Sequence, residues 1–302
     1  MLTIGSRGSQ LALWQARWIQ ARIEALGIET RLEIIHTTGD KITDVALSKV
    51  GTKGLFTKEI EEALLKKTID LAVHSLKDMP TELPAGLTLA AIPEREDPRD
   101  ALIGKSLSSL PQGAHVGTSS LRRAAQLRAL RPDLQIEDIR GNLDTRLRKL
   151  DEGKYNAIVL ASAGLRRLGW ADRITELLSP EIMCPAVGQG ALAVETRDDA
   201  GEAQKAAKTL EHEATRIAVT AERAVLAALG GGCQVPIGAY ATVDLGAGIV
   251  QLQSIIVSPD GTQVIRKQAS GPVSDVATMG RKLGEQLLAA GGEKILAAVY
   301  GD

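Results

Sequence analysis

The feature that most constrains this chain is the alternation, from residue 2 to residue 92, of short apolar runs with stretches of helical periodicity. Strands and helices in alternation bury their apolar faces only as layers, with helices laid on a sheet. LTIG (2–5) reads as a strand. Ser9 is placed to cap a helix carrying Leu11, Trp14, Trp18, Ile19, Ile23 and Leu26 on one face, and Gly27 stops it. RLEIIH (31–36), IDLAV (69–73) and LTLAAI (87–92) read as further strands, and Phe56 to Lys66 as a helix with Phe56, Ile60 and Leu64 in line. The long polar segment 37–55 holds Gly39, Gly51 and Gly54; so long a loop in a compact domain is usually functional or mobile.

EREDPRD (94–100) interrupts the pattern with six charges around a proline and reads as a crossover into a second domain. The scheme then repeats: strand 115–118, a helix from Ser119 or Ser120 to Leu130, strand 134–140, a helix from Asn142 to Glu152 stopped by Gly153, and strand 156–160. Strand 191–196 is followed by a long helical stretch through about 229, and residues 191–210 are expected to return to the first domain. After Gly232 the period becomes that of alternating strands, 235–242, 249–257 and 263–269, before a helix capped by Ser274 with Val276, Met279, Leu283 and Leu287 aligned. The expected architecture is therefore two α/β domains, 1–94 with 188–210 and 99–185, plus a small C-terminal α+β domain, 212–302. At ~150 residues per domain, a length of 302 residues gives about two domains and allows three.

Composition narrows the function classes. With 36 basic and 37 acidic residues, the net charge of −1 argues against a chain governed by nucleic-acid or membrane electrostatics. Aromatic residues make up 2 %, so stacking platforms for unpaired bases are scarce. No apolar run approaches the ~20 residues of a membrane span, and MLTIGSRGSQ lacks the pattern of a secretory signal, so a cytoplasmic enzyme is expected. Two cysteines and four histidines stand at no metal-ligand spacing.

Charge is nevertheless segregated. Residues 116–150 hold seven Arg, one Lys and four acids, a net +4 in a chain of net −1. Arg122 and Arg123 lie in the first turns of the helix opened by GTSS (117–120), and Arg140 and Arg146 flank the next strand-to-helix turn, RGN (140–142). Helix N-termini with forked guanidiniums beside them suit carboxylates or phosphates. Arg128, Arg131 and Arg148 read equally well as solvated helix residues. A second cluster, AVHSLKDMP (72–80), brings Asp78 and Lys77 to the carboxyl end of a strand, where an acid can move a proton or face a cation; taken alone, KDMP is a turn and His74 a structural histidine. In LGGGCQVPIGAYA (229–241), Cys233 sits among glycines and reads as a nucleophile or as a small buried hydrophobe, whereas Cys184 before Pro185 has no such setting. Lys49 and Lys53 of the 37–55 loop add positive charge.

Taken together, SRGSQLALWQA (6–16), KGLFTKEIE (53–61), DLAVHSLKDMP (70–80), GTSSLRR (117–123), RGNLDTRLRKLD (140–151), PAVGQGALAVE (185–195) and GGGCQVPIGAYA (230–241) resemble the porphobilinogen deaminase family, also called hydroxymethylbilane synthases. The resemblance implies two periplasmic-binding-protein-like α/β domains around a cleft, and a small third domain bearing a covalent dipyrromethane cofactor. It implies condensation of four porphobilinogen molecules into the linear tetrapyrrole hydroxymethylbilane with release of ammonia, by a monomer. By motif, Cys233 would anchor the cofactor through a thioether and Asp78 would be the catalytic carboxylate. Arg7, Ser9, Lys77, Arg122, Arg123, Arg140 and Arg146 would bind pyrrole acetate and propionate groups. Thr118, Ser120, Asn142, Arg167 and Gln189 would line the cleft, and Lys49, Lys53 and Phe56 would belong to a mobile loop and its edge. Thr52 departs from the family, in which glycine is frequent there, and the last sixty residues carry no matching motif. Two other classes remain open on the residues alone, a small-anion receptor of periplasmic type and a nucleic-acid binder acting through 116–150. The glycine-set Cys233 and the lack of a signal pattern count against the first, and the near-neutral total charge and few aromatics against the second.

Overall fold

The computed structural model describes residues 1–41, 55–231 and 235–300. Along the first layer run β1 (Leu2–Ser6), α1 (Gln10–Glu24), β2 (Thr30–Ile34), the one-turn α2 (Thr38–Lys41), α3 (Lys58–Leu65), β3 (Leu71–Ser75) and β4 (Leu87–Ala91). The second layer follows with β5 (Asp100–Ile103), β6 (His115–Gly117), α4 (Leu121–Leu130), β7 (Gln135–Glu137), α5 (Leu143–Asp151), β8 (Ala157–Ala161), α6 (Ser162–Arg167) and β9 (Glu176–Leu178). Then come β10 (Leu192–Arg197), α7 (Glu202–Lys208), α8 (Glu213–Ala228), β11 (Ile237–Asp244), β12 (Ile249–Val257), β13 (Val264–Pro272), α9 (Val276–Leu287) and α10 (Glu293–Tyr300).

The chain forms two compact units, one of Met1–Glu96 with Gly190–Arg216, the other of Asp97–Gln189 with the residues from Ile217 on. The first is built on a sheet of order β2-β1-β3-β10-β4, in which β10 runs antiparallel between β3 and β4. The second contains a sheet of order β7-β6-β8-β5-β9, with β5 antiparallel to both neighbours, and the meander β11-β12-β13. Both α/β sheets thus follow one plan, three parallel strands and then a reversed strand inside the edge. This is the α/β class expected, with a small three-stranded sheet after it.

Local sequence explains the elements. Ser9 caps α1 by accepting the Ala12 N–H at 3.3 Å, and Ala16, Ile19 and Ile23 fill the first core with Leu71, Val73 and Val194. Trp14 and Trp18 are only half buried, and Leu26 is 48 % exposed because α1 ends before it. The meander carries its own apolar core, including Val250, Leu252, Ile256, Val225 and Leu283. It also packs on α4, where Ala125 and Cys184 meet Ile255 and Val257. Gly238 lies so close there that a β-carbon would fall 2.7 Å from the Cys184 carbonyl oxygen.

Several expectations are corrected. The helical stretch before 229 is two helices, because Ile92 N–H donates to Glu211 Oε2 (2.7 Å) and His212 N–H to the Ile92 carbonyl (3.0 Å), turning the chain between α7 and α8. Ser274 lies inside a single 3-10 turn, and Asp275 occupies the cap position of α9. The short elements β5, β9, α6 and α10 come in addition to those expected.

Candidate active site

In the first unit β3 ends at Ser75, and a single 3-10 turn, Leu76–Asp78, follows, so Asp78 leaves the carboxyl end of a sheet strand as expected. Asp78 lines a pocket with Arg7, Ser9, Gln15, Phe56, Thr57, His74 and Ser75. Arg7 follows β1 and lies over the Phe56 ring, its guanidinium carbon 4.1 Å from the ring centroid, an arrangement that holds the cation at the pocket wall. Gln15 of α1 donates to Ser75 Oγ at 2.9 Å. The four sequence-selected residues Arg7, Ser9, Phe56 and Asp78 are therefore brought together, and Lys77 stands half buried in the same turn as Asp78. The pocket is lined by both a carboxylate and a guanidinium, suited to a ligand carrying both a basic centre and carboxylates.

In the second unit the Ser120 hydroxyl caps α4, and Thr118 Oγ1 accepts the Ser120 N–H at 3.2 Å. Arg122 and Arg123 turn inward, 4 % and 6 % exposed, onto the fully buried Asp100 at the start of β5. Arg122 donates to Asp100 Oδ2 at 2.7 Å and to the Cys184 carbonyl at 2.6 Å; Arg123 donates to Asp100 Oδ1 at 2.9 Å and to the Val159 carbonyl at 3.2 Å. Gln189 Nε2 adds a bond to Asp100 Oδ1 at 2.9 Å. Burial pushes the Asp100 carboxyl up, but the Arg122 and Arg123 charges and the bonds from Arg122 and Gln189 overcome this and hold it well below the usual carboxylate range.

Two guanidiniums against one carboxylate leave an excess positive charge at this helix start. Arg146 in α5 feels it: burial, and then the Arg123 charge, lower its guanidinium to about 10. Arg140 pairs with Asp138 at 2.8 Å, and Arg146 Nε donates to the Gly141 carbonyl at 2.8 Å. Gly141 adopts φ 108°, which only glycine takes readily, and a β-carbon there would meet Thr145 at 2.7 Å or less. Asn142 caps α5 by position and is exposed, and Arg167 is buried at the end of α6. A cationic patch at two helix starts fits a polycarboxylate.

Asp100 provides a direct test of this network. Asp100→Asn should cost about 3–5 kcal/mol of stability, because two buried cations lose their counter-charge. Since the folded-state carboxyl is depressed, its contribution is present above roughly pH 4, the unfolded value, and is lost as pH falls below it. Urea denaturation of parent and variant at pH 7 and pH 3.5 reads both effects. A variant within about 1 kcal/mol of the parent would show that the arginines find other partners.

Lys49, Lys53 and Cys233 lie outside the described residues. Cys184 is fully buried, and burial pushes its thiol up to about 12, the state of an inert side chain. Sequence reasoning missed Asp100, read only as part of a charged crossover, and the buried Glu61, Glu195 and Glu222. Glu222 of α8 accepts the Gly188 N–H at 2.7 Å and the Ala241 N–H at 2.9 Å, tying the 185–190 segment to β11. Its only sequence signal is an acid amid apolar neighbours on an amphipathic helix. Among the described residues no group of three or more His, Cys, Asp or Glu is arranged to hold a metal ion, and no helix is long and apolar enough to cross a membrane.

The chain is similar to several known proteins. A chain from the periplasmic substrate-binding part of an ABC transporter of Coxiella burnetii superposes with a TM-score of 0.43 at 12 % identity, covering 70 % of this chain and 92 % of that one. Porphobilinogen deaminases of Syntrophobacter fumaroxidans and Gloeobacter violaceus are 50 % and 54 % identical, covering 99 % and 98 % of this chain and 98 % and 93 % of theirs. That of Geobacter sulfurreducens is 52 % identical over 99 % of this chain and 95 % of its own. Residues 2–205 match the family model described as "Porphobilinogen deaminase, dipyromethane cofactor binding domain", and residues 216–289 the one described as "Porphobilinogen deaminase, C-terminal domain". With both models matched in order and half of all positions shared with full-length relatives, the chain belongs to the porphobilinogen deaminase family.

Proposed function

We propose that this chain performs the family's reaction, joining four porphobilinogen molecules into hydroxymethylbilane with release of ammonia, through Asp78 in the first unit and the arginines of the second. The observation that carries the residue assignment is the split of charge. Asp78 stands in a pocket with Arg7, while a surplus of buried guanidinium charge surrounds Asp100 and Arg146.

Loss of ammonia from porphobilinogen leaves an electron-poor azafulvene that is cationic when protonated. A carboxylate at Asp78 stabilises that charge through the pyrrole N–H and takes the proton that carbon–carbon bond formation releases. Each pyrrole carries two carboxylates, so the product is a polyanion, and bidentate, permanently charged arginines suit it. Arg122, Arg123, Arg140 and Arg146 are assigned to these carboxylates, with Thr118, Ser120, Asn142, Arg167 and Gln189 in the same unit and Lys77 from the first unit. Arg122 acts with Arg123 in holding the positive surplus at the α4 start. Arg7, Ser9 and Phe56 receive the incoming pyrrole, with Lys49 and Lys53 supplying further positive charge.

The cationic patch fits the dipyrromethane cofactor, which when bound supplies a primer pyrrole for chain growth. Cys233 is assigned as its thioether anchor, because a soft thiolate is the nucleophile suited to capturing an azafulvene carbon. A cytoplasmic monomer that binds no nucleic acid completes the reading, in keeping with the near-neutral total charge. Intact mass of the purified chain tests the cofactor. It should exceed the sequence mass by one dipyrromethane, whereas a mass equal to that of the sequence would favour a receptor that binds small anions without covalent chemistry.

A further inference from the structure

Beneath the Asp78 pocket, between α3 and the sheet, lies a polar group that the reaction as described does not use. His74 of β3 and Glu195 of β10 share one face of the sheet, with His74 Nε2 at 2.9 Å from Glu195 Oε2, the two side chains 5 % and 0 % exposed. Glu61 of α3 covers them at 7 % exposure. Among the described residues, Glu61 Oε1 and Glu195 Oε1 find no hydrogen-bond partner. The surrounding layer is made of Ile60, Leu64, Ile69 and Ala72, with the buried Thr57 beside Glu61. Two carboxyls and an imidazole buried there are a poor device for stability, since apolar residues of similar volume serve a core as well or better. They do not converge as a metal site. His74 nevertheless reaches the pocket wall beside Asp78.

We propose that His74, oriented by Glu195 and backed by Glu61, is a positioning residue that holds protons behind Asp78. This rests on the assignment of Asp78 above. When the acceptor pyrrole's α-carbon bonds to the azafulvene methylene, its C–H bond breaks, the electron pair returns to the ring and the proton passes to the Asp78 carboxylate. His74 takes that proton on its pocket-side nitrogen, freeing Asp78 for the next addition, and the proton leaves with the released ammonia as ammonium. The bond from Nε2 to Glu195 fixes which nitrogen is free. Glu195 of β10 lies within hydrogen-bond reach of His74, Glu61 of α3 acts on it through its charge, and Asp78 and Arg7 line the same pocket as His74. Burial pushes the Glu61 carboxyl up, and the Glu195 charge adds to this, against the Thr57 hydroxyl and the His74 charge, which lower it.

The test compares parent, His74→Gln and Glu195→Gln holoenzymes by intact mass, circular dichroism, and turnover of porphobilinogen with hydrogen or deuterium at the reacting α-carbon, in water and in deuterium oxide. His74→Gln should keep the fold and the cofactor mass, lose about 10²-fold in kcat, and show in deuterium oxide a solvent isotope effect larger than the parent's, with no gain in the effect of deuterium on carbon, because removal of the proton from Asp78 has become limiting. Glu195→Gln should shift both quantities in the same direction, and it carries the test alone if His74→Gln does not fold. In the parent without substrate, the His74 Nε2 proton should give a hydrogen-bonded imidazole resonance that moves in Glu195→Gln. Unchanged kcat, a lower kcat with the parent's solvent isotope effect, or no such resonance would each overturn the proposal. An active Asp78→Asn enzyme would instead remove the site assignment on which it rests.

Discussion

Cys233→Ser gives a folded chain whose mass equals that of its sequence and which makes no hydroxymethylbilane. A serine hydroxyl is far harder and less acidic than a thiol and does not capture an azafulvene carbon, so the primer has no root. The loss should be complete rather than partial, because no later step can begin without it. Cys184→Ser is the control: Cys184 is fully buried beside Gly238, with a thiol too weakly acidic to ionise near neutral pH. That variant should keep both the added mass and the activity. Extra mass on the Cys233→Ser chain would move the anchor elsewhere.

Asp78→Asn should lower turnover by roughly 10²–10³-fold, the cost of removing one key electrostatic contact from a reacting centre. The amide keeps the shape of the carboxylate but neither stabilises a cation nor accepts the proton released from carbon. Arg7, over the Phe56 ring, still offers its guanidinium to a substrate carboxylate, so porphobilinogen affinity measured by calorimetry should change little while kcat collapses. A variant with near-parent turnover would show that another group carries the chemistry.

How much of this was legible in the sequence depended on element length and on where each element finds its partners. The helix opened by Ser9 shows enough periods to be read from its own residues, and LTIG reads as a strand from its place before that helix. β5 and β9, with four and three residues, show no period at all, and they are strands only because neighbouring β8 and each other supply the ladder. The break between α7 and α8 contains neither glycine nor proline; it is made by Ile92, more than a hundred residues earlier, exchanging bonds with Glu211 and His212. For the site, Asp78 and the arginines were visible as motif residues, yet their surroundings were not. Asp100 looked like one charge among six, and only the fold turns it into the counter-ion of Arg122 and Arg123. Glu195, inside an apolar strand, gave no hint of His74, which lies 121 residues away in the chain.

The place of β10 bears on how the protein is made. This strand lies hydrogen-bonded between β3 and β4, but it is synthesised only after the whole β5–β9 sheet has been completed. At ribosomal speeds of ~5–20 residues per second, β4 waits roughly 5–20 s for it. During that interval β3 and β4 present open edges that can pair with other chains, while the sheet begun second already has all its strands. The unit that carries Asp78 is thus the first to be translated and the later to close, and its vulnerable period is set by the length of the segment inserted into it.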